Sequence, residues 1–520
     1  GESCAGFPPA RKRCRFMDAF QHVMTGMYVM FTPMNIMLLT VGTFLGLVIG
    51  AMPGIGHVNG VAILLPLTFV VPPVSAIIFL SAIYYGAMFG GAISSILLGI
   101  PGTSTAVATT FDGRPMALKG QGDRALVAAA LASFFGGTIS ILLFTFFAPM
   151  LADFALRFGP AESFTLMILA FSTFIGLGGD DIPKTIVAII LGLLLSTVGT
   201  DVVSGMPRLI FFDMPGFYKG INFLVIAIGI YGIGEMIWVI DATFGAVTLS
   251  SARVSYHSFL NGLKDIRHNL PTLSISSVMG FLVGVLPAAG ATPGALMAYG
   301  LTRSVSKDPS KFGKGEVAGI IAPESANNAA STGALLPMLT LGIPGSPTTA
   351  ILLGGMVMWG LQPGPLLFIE QPEFVWGMVA SLYLGTFFAA ILNLAGIPLF
   401  VSLLRVPFTI LAPIIFVLAL VGGYVPTSDL HDVWMMLGFG IIAYGFRKLN
   451  YPMAPLVLAL VLGPLAEETL RQSLIASHGS GSIFFRSSIG ATCIVLSLLL
   501  FSIPLLKRVW NKVMPKQTPA

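Results

Sequence analysis

Charged side chains are what this chain has least of: Asp, Glu, Lys and Arg make up 9% of its 520 residues, against roughly 25% in a soluble globular domain. That is too little charge to coat a water-facing surface, so an ordinary soluble protein is excluded. Cysteine is scarcer still. Cys4, Cys14 and Cys493 make no disulfide framework and no metal cluster, and Cys493 reads as lipid-facing or as core filler. Familiar catalytic signatures are missing as well: the chain has no HExxH zinc helix and no GxSxG elbow, the marks of common metalloproteases and serine hydrolases. "FGKGE" at 312–316 looks like a fragment of a phosphate loop, but no Ser or Thr follows Lys314. Without the full Walker spacing it is a loop, and the chain cannot itself use ATP.

What is abundant is apolar. Hydrophobic residues reach 55% and mean hydropathy is +0.90. Runs near the ~20 residues that span a bilayer recur at 34–52, 125–150, 161–178, 183–199, 221–240, 374–398, 399–420 and 488–506. Barrel strands would be shorter and would alternate in polarity, so the expected class is an all-α polytopic membrane protein. The net charge of +5 is then no nucleic-acid signal. The basic residues lie in short loops and at Lys507, Arg508, Lys512 and Lys516, the positive-inside pattern of a chain whose partner is membrane lipid. Residues 1–16 are basic but lead into no apolar h-region, and Met17 reads as a natural start. They are expected to be a start-site artefact or leader, with a basic cytoplasmic tail as the alternative.

The sequence also repeats itself. Gly46, Gly50, Pro53, Gly56 and Gly60 align with Gly280, Gly284, Pro287, Gly290 and Gly294, every pair 234 residues apart. "LGIPGTST" at 98–105 meets "LGIPGSPT" at 341–348, every pair 243 apart. The register change of nine residues falls at a polar insertion, "RSVSKDPSKFGKGE" at 303–316. Loop charges set the orientation. Residues 112–124 carry Arg114, Lys119 and Arg124, whereas their counterpart 361–373 carries Glu370 and Glu373 and no basic residue; between the motifs the bias reverses. Corresponding loops facing opposite sides are what an inverted-topology repeat requires. The expected division is a first repeat over 17–240, a cytoplasmic linker over 241–272, a second repeat over 273–510 and a tail over 511–520. Within the second repeat, 273–300 has basic flanks on both sides, so it reads as a re-entrant hairpin turning at "LPAAG".

Pro53-Gly54, Pro101-Gly102, Pro344-Gly345, and Pro287 with Gly290 and Gly56 beside their respective turns, interrupt apolar runs. Irregular backbone survives inside a bilayer only when buried in protein or lining a wet cavity. Paired interruptions in two halves point to discontinuous helices around a midplane site, where free N–H groups meet an anion. Thr103, Ser104 and Thr105, and Ser346, Thr348 and Thr349, follow the breaks where caps would sit. "APESANNAASTGALLPMLTLGIPGSPTTA" at 322–350 adds Ser325, Asn327 and Asn328 as donors to carboxylates or as amide ligands of a cation. Glu324 is assigned to a coupling ion or a structural partner, and Asp180 and Asp181 to an ion or a helix cap. Glu235 within a span is either functional or paired, for instance with Arg208. No metal or cofactor is expected, only a coupling Na+ or H+. An intramembrane enzyme using Glu324, the serines and His431-Asp432, or a channel, is the alternative; no repeated filter sequence supports the channel.

At this point the residues resemble a family. "AMPGIG", "YYGAMFGGAISSILLGIPGTSTAVATTFDGRPMALKGQG", "IGLGGDDI", "APESANNAASTGALLPMLTLGIPGSPTTA" and "GLQPGP" are similar to the large membrane subunit of tripartite tricarboxylate transporters, over nearly everything from Met17 to about residue 510. "PESANNA" and "DGRPMA" are the specific stretches. The resemblance implies a bacterial inner-membrane carrier of organic anions such as citrate, driven by an ion gradient. It also implies two partners, a small transmembrane subunit and a periplasmic solute-binding protein. One departure stands out: the family usually continues "PGIG" with a proline, where this chain has His57-Val58-Asn59. That leaves the substrate open and makes His57 either a polar group at the site or a packing residue.

Overall fold

The computed structural model describes residues 22–513 apart from 178–180, 202–203, 211–213, 242–254, 288, 405–407 and 426. Residues 1–16 and Asp180 therefore lie outside the described residues, as do 242–254 of the expected linker and 514–520 of the expected tail. Among the described residues the chain is helical almost throughout. Its sheet is a two-stranded ribbon pairing Gly199–Thr200 with Pro207–Arg208. Six helices are long and apolar enough to cross a membrane: Pro33–Ala51, Pro73–Leu97, Gly122–Ala155, Phe223–Asp241, Pro372–Leu403 and Met453–Ala476.

Two helices form the centre. Pro73–Leu97 and Ala318–Leu341 are buried along almost their whole length. Ala318–Leu341 holds the polar 322–332 stretch, so hydropathy alone does not reveal it, but its small side chains let neighbouring backbones come close, which is how helices associate in lipid. The approach is made through glycines. A Cβ on Gly280 would overlap the Ala326 carbonyl, one on Gly284 the Ala330 carbonyl, and one on Gly333 the Phe281 carbonyl. Helix Pro33–Ala51 meets Pro73–Leu97 in the same way, with Gly46 on Ile83, Gly50 on Ala87 and Gly90 on Leu47.

Some boundaries differ from those read in the sequence. The run 399–420 is not one span: helix Pro372–Leu403 continues through Pro398, and a separate helix covers Phe408–Tyr424. The segment 112–124 is not a plain loop either. Helix Val107–Leu118 takes its first half, with Gly113 packed on Ile96 and Pro115 inside the helix. Asp112 in that helix is fully buried. Its Oδ1 accepts the backbone N–H of Gly313 at 2.9 Å and of Gly315 and Glu316 at 2.8 Å each, and its Oδ2 accepts the Tyr299 hydroxyl at 3.0 Å. The loop fragment that resembles a phosphate cradle does hold an oxyanion, and the oxyanion is this carboxylate. The described part of the expected linker forms the amphipathic helix Tyr256–His268, tied to Arg124 by Asp265 at 2.6 Å. Cys493 is buried among Leu166, Met167 and Leu462, as core filler. Within Phe223–Asp241, residues Ile228–Gly234 wind as a π-helix, a feature that recurs at functional sites.

Candidate functional site

Each Pro-Gly motif is a break between two helices. Pro33–Ala51 ends before Pro53 and the chain resumes as Gly56–Leu64. Pro73–Leu97 ends before Pro101, and Val107–Leu118 follows a short turn of 3-10 helix at Ser104–Ala106. Leu270–Val285 gives way around Pro287 to Ala291–Val305. Ala318–Leu341 stops at Gly342, and Pro347–Met358 starts behind Ser346. Gly54, Gly56, Gly290 and Gly342 have φ of 91°, 69°, 68° and 69°, a left-handed backbone that a side chain disfavours.

The four breaks converge. The Gly290 N–H donates to the Gly345 carbonyl at 3.1 Å, and a Cβ on Gly56 would lie 4.0 Å from the Gly102 carbonyl. Thr292 of the third break reaches Ser104 of the second at 3.3 Å. Tyr84 joins the halves through hydrogen bonds to Ser346 and Ser331, and its ring lies 5.6 Å from that of His57. Tyr85 bonds Thr332, which also accepts from Ser140 at 2.8 Å.

A cavity of about 470 Å³ opens at this junction. Of the residues singled out in the sequence, Gly54, Gly56, Pro101, Gly102, Thr103, Ser104 and Glu235 line it, and His57 and Asn59 line it too. The second-half residues lie in the packed interior. Buried polar atoms there lack a protein partner: both ends of the Asn327 amide, Oδ1 of Asn328 and the Thr348 hydroxyl, with Nδ1 of His57 in the first half. Leaving such groups unpaired costs roughly 1–3 kcal/mol each, so they are the atoms to which a ligand or ion would add most.

Several assignments sharpen. Ser346 is a true helix cap, but its reciprocal partner is Thr349, not Thr348. Thr103 and Thr105 bond each other at 2.8 Å, and Thr103 makes no side-chain cap. The Ser325 hydroxyl donates to the Ile321 carbonyl at 2.8 Å, and its backbone faces Gly136. Glu324 accepts from Thr109 at 2.5 Å and Ser133 at 3.0 Å, hydroxyls that tie it to neighbouring helices. Asp181 precedes helix Ile182–Ser196 without a side-chain cap bond and pairs with Lys184 at 3.0 Å. Glu235 pairs with Arg447, while Arg208 goes to Glu467 at 2.7 Å. Tyr84, Tyr231 and Arg447 escape a reading of local motifs. Of these, only the tyrosine pair beside Gly86 stands out within its apolar run.

The family profile described as "Tripartite tricarboxylate transporter TctA family" matches residues 36–458. An "Uncharacterized 52.8 kDa protein in TAR-I ttuC' 3'region" of Agrobacterium vitis is 38% identical over 499 residues, 95% of this chain and 98% of that protein. A second protein of the same organism, from the TAR-II ttuC' 3'region, is 38% identical over 233 residues, 45% of this chain and 96% of its own length. No solved structure matches. With a multi-pass helical body and a family match over most of its length, the chain belongs to the TctA family, the large membrane component of tripartite tricarboxylate transporters.

Proposed function

We propose that the chain takes up a small organic anion, a tri- or dicarboxylate such as citrate, across the bacterial inner membrane. Family membership implies tricarboxylate transport and partner subunits; the binding site, the ion coupling and the handover from a periplasmic binding protein are the reading advanced here. The observation that carries it is the meeting of four helix breaks, the first two of which line one cavity, with unpartnered amide and hydroxyl groups buried in the second half. Neutral donors suit a carrier, since they bind an anion without holding it permanently. Na+ at the Asn327 and Asn328 amide oxygens, or a coupling ion at the Glu324 carboxylate, would tie uptake to the ion gradient.

The inverted repeat is part of the same reading. Gly46, Gly50 and Gly102 press on Ile83, Ala87 and the Gly50 carbonyl, and Gly280, Gly284 and Gly345 press on Ala326, Ala330 and the Gly284 carbonyl. These contacts follow the sequence offsets of 234 and 243. With 361–373 periplasmic, the helices that follow bring the 449–452 turn to the cytoplasmic side. Tyr451 and Met453 line the cavity, so it runs from the breaks toward the cytoplasm.

The test is uptake of radiolabelled citrate by cells expressing all three components. Asn328→Ala and Thr348→Val should raise the half-saturating citrate or ion concentration about tenfold or more, as expected for a lost hydrogen bond to a charged group, at normal membrane abundance. Reduced abundance with unchanged affinity would mean that these side chains only tie helices together.

A further inference from the structure

Besides the broken helices, the cavity is lined by residues of Phe223–Asp241 and Leu430–Lys448 and by Tyr451, Met453 and Ala454. Among the described residues lining it, Arg447 is the only arginine or lysine. We propose that Arg447 is the cation on which the anionic cargo docks as it passes through the cavity, with Glu235 as the resident carboxylate that it displaces. This inference rests on the carrier reading above and adds to it a charged contact outside the broken-helix motifs.

Three observations support it. First, the pair lies at the cavity and not in the packed core, with side-chain exposures of 38% for Arg447 and 19% for Glu235. Second, the guanidinium has a second anchor: it lies over the Trp238 ring at 4.6 Å. A cation–π contact holds it in place while its carboxylate partner changes. Third, the pair is not needed to join its two helices. Lys448, next to Arg447, bridges them by pairing with Asp241 at 3.1 Å, and Gly229, Gly234 and Gly440 let the backbones touch.

The exchange is chemically even. A cargo carboxylate takes the place of the Glu235 carboxylate on the same fork of N–H donors, so the arginine is never left without an anion. Glu235 then needs a positive partner, and a co-transported Na+ or proton supplies one. Anion entry and cation entry become a single event, which is coupling in its simplest form. The π-helical turn of Ile228–Gly234 ends at Glu235 and puts Tyr231 and Gly234 at the same cavity.

The experiment measures uptake of radiolabelled citrate and succinate by the complete three-component system, as a function of anion and of Na+ or H+ concentration. Arg447→Gln should raise the half-saturating anion concentration at least about tenfold, while Arg447→Lys retains part of the affinity. Glu235→Gln removes the competing carboxylate, and should lower the half-saturating anion concentration and flatten the cation dependence. If Arg447→Gln reaches the membrane poorly, the neutral pair Glu235→Gln with Arg447→Gln is measured instead. Anion affinity in that double variant equal to that of Glu235→Gln alone would overturn the proposal. Should Asn328→Ala and Thr348→Val weaken affinity while both pair variants behave as wild type, this inference fails and the broken-helix site stands. If all of them behave as wild type, both fail.

Discussion

Asp112 is a buried carboxylate that spends its charge on the chain itself. Three N–H groups of 313–316 and the Tyr299 hydroxyl satisfy it, which fixes the Lys-rich insertion against the first half. Asparagine in its place would keep one acceptor oxygen for the N–H groups but lose the charge that strengthens those bonds. Asp112→Asn should therefore cost on the order of 2 kcal/mol and loosen the insertion. Limited trypsin digestion at Lys307, Lys311 and Lys314 should quicken relative to wild type while other sites keep their rates; unchanged cleavage there would mean that the loop is held by something else. The same residue marks a limit of sequence reading. "DGRPMA" stands out as specific, yet the partners of its Asp lie 187 to 204 positions away, and no local spacing names them. Likewise nothing near Glu235 distinguishes Arg447 from Arg208, whereas the three-residue spacing of a capping box does single out Thr349 over Thr348 as the partner of Ser346.

At the scale of elements, proline and glycine act locally, and for that reason the four breaks are legible from the sequence. Helix ends that depend on packing are not. Gly113, Pro115 and Gly120 make 112–124 look like a loop, but Ile96 and the insertion hold half of it helical. Ala318–Leu341 is too polar to read as a span; it is stable because every neighbour covers it. The glycine contacts make this testable. Gly90→Ala and Gly333→Ala each push a methyl group into the Leu47 or Phe281 carbonyl, and overpacking of that kind typically costs about 1–3 kcal/mol. Both should lower the melting temperature of the detergent-solubilised protein. Gly300→Ala, where a Cβ meets nothing within 4 Å, should leave it unchanged or raise it. Equal melting of all three would argue against close helix crossings at these points.

For the molecule as a whole, the loop charges support the proposed inverted orientation of the two halves. Lys119 and Glu370 are both exposed, and each lies in the loop that follows the second motif of its proposed half. In a cysteine-free background, Lys119→Cys should react with a membrane-impermeant thiol reagent only from the cytoplasm and Glu370→Cys only from the periplasm. Labelling of both from one side would rule out inverted halves. The tie at Asp112 also has a consequence in time. Its first partner, Tyr299, lies 187 residues further along the chain, and the N–H groups begin 201 residues on. Ribosomes add roughly 5–20 residues per second, so about 10–40 s pass between the synthesis of the carboxylate and that of the groups that satisfy it. During that wait the charged end of helix Val107–Leu118 has to stay in water. The first half of the transporter therefore enters the bilayer unfinished, and its inner face closes only when the second half arrives.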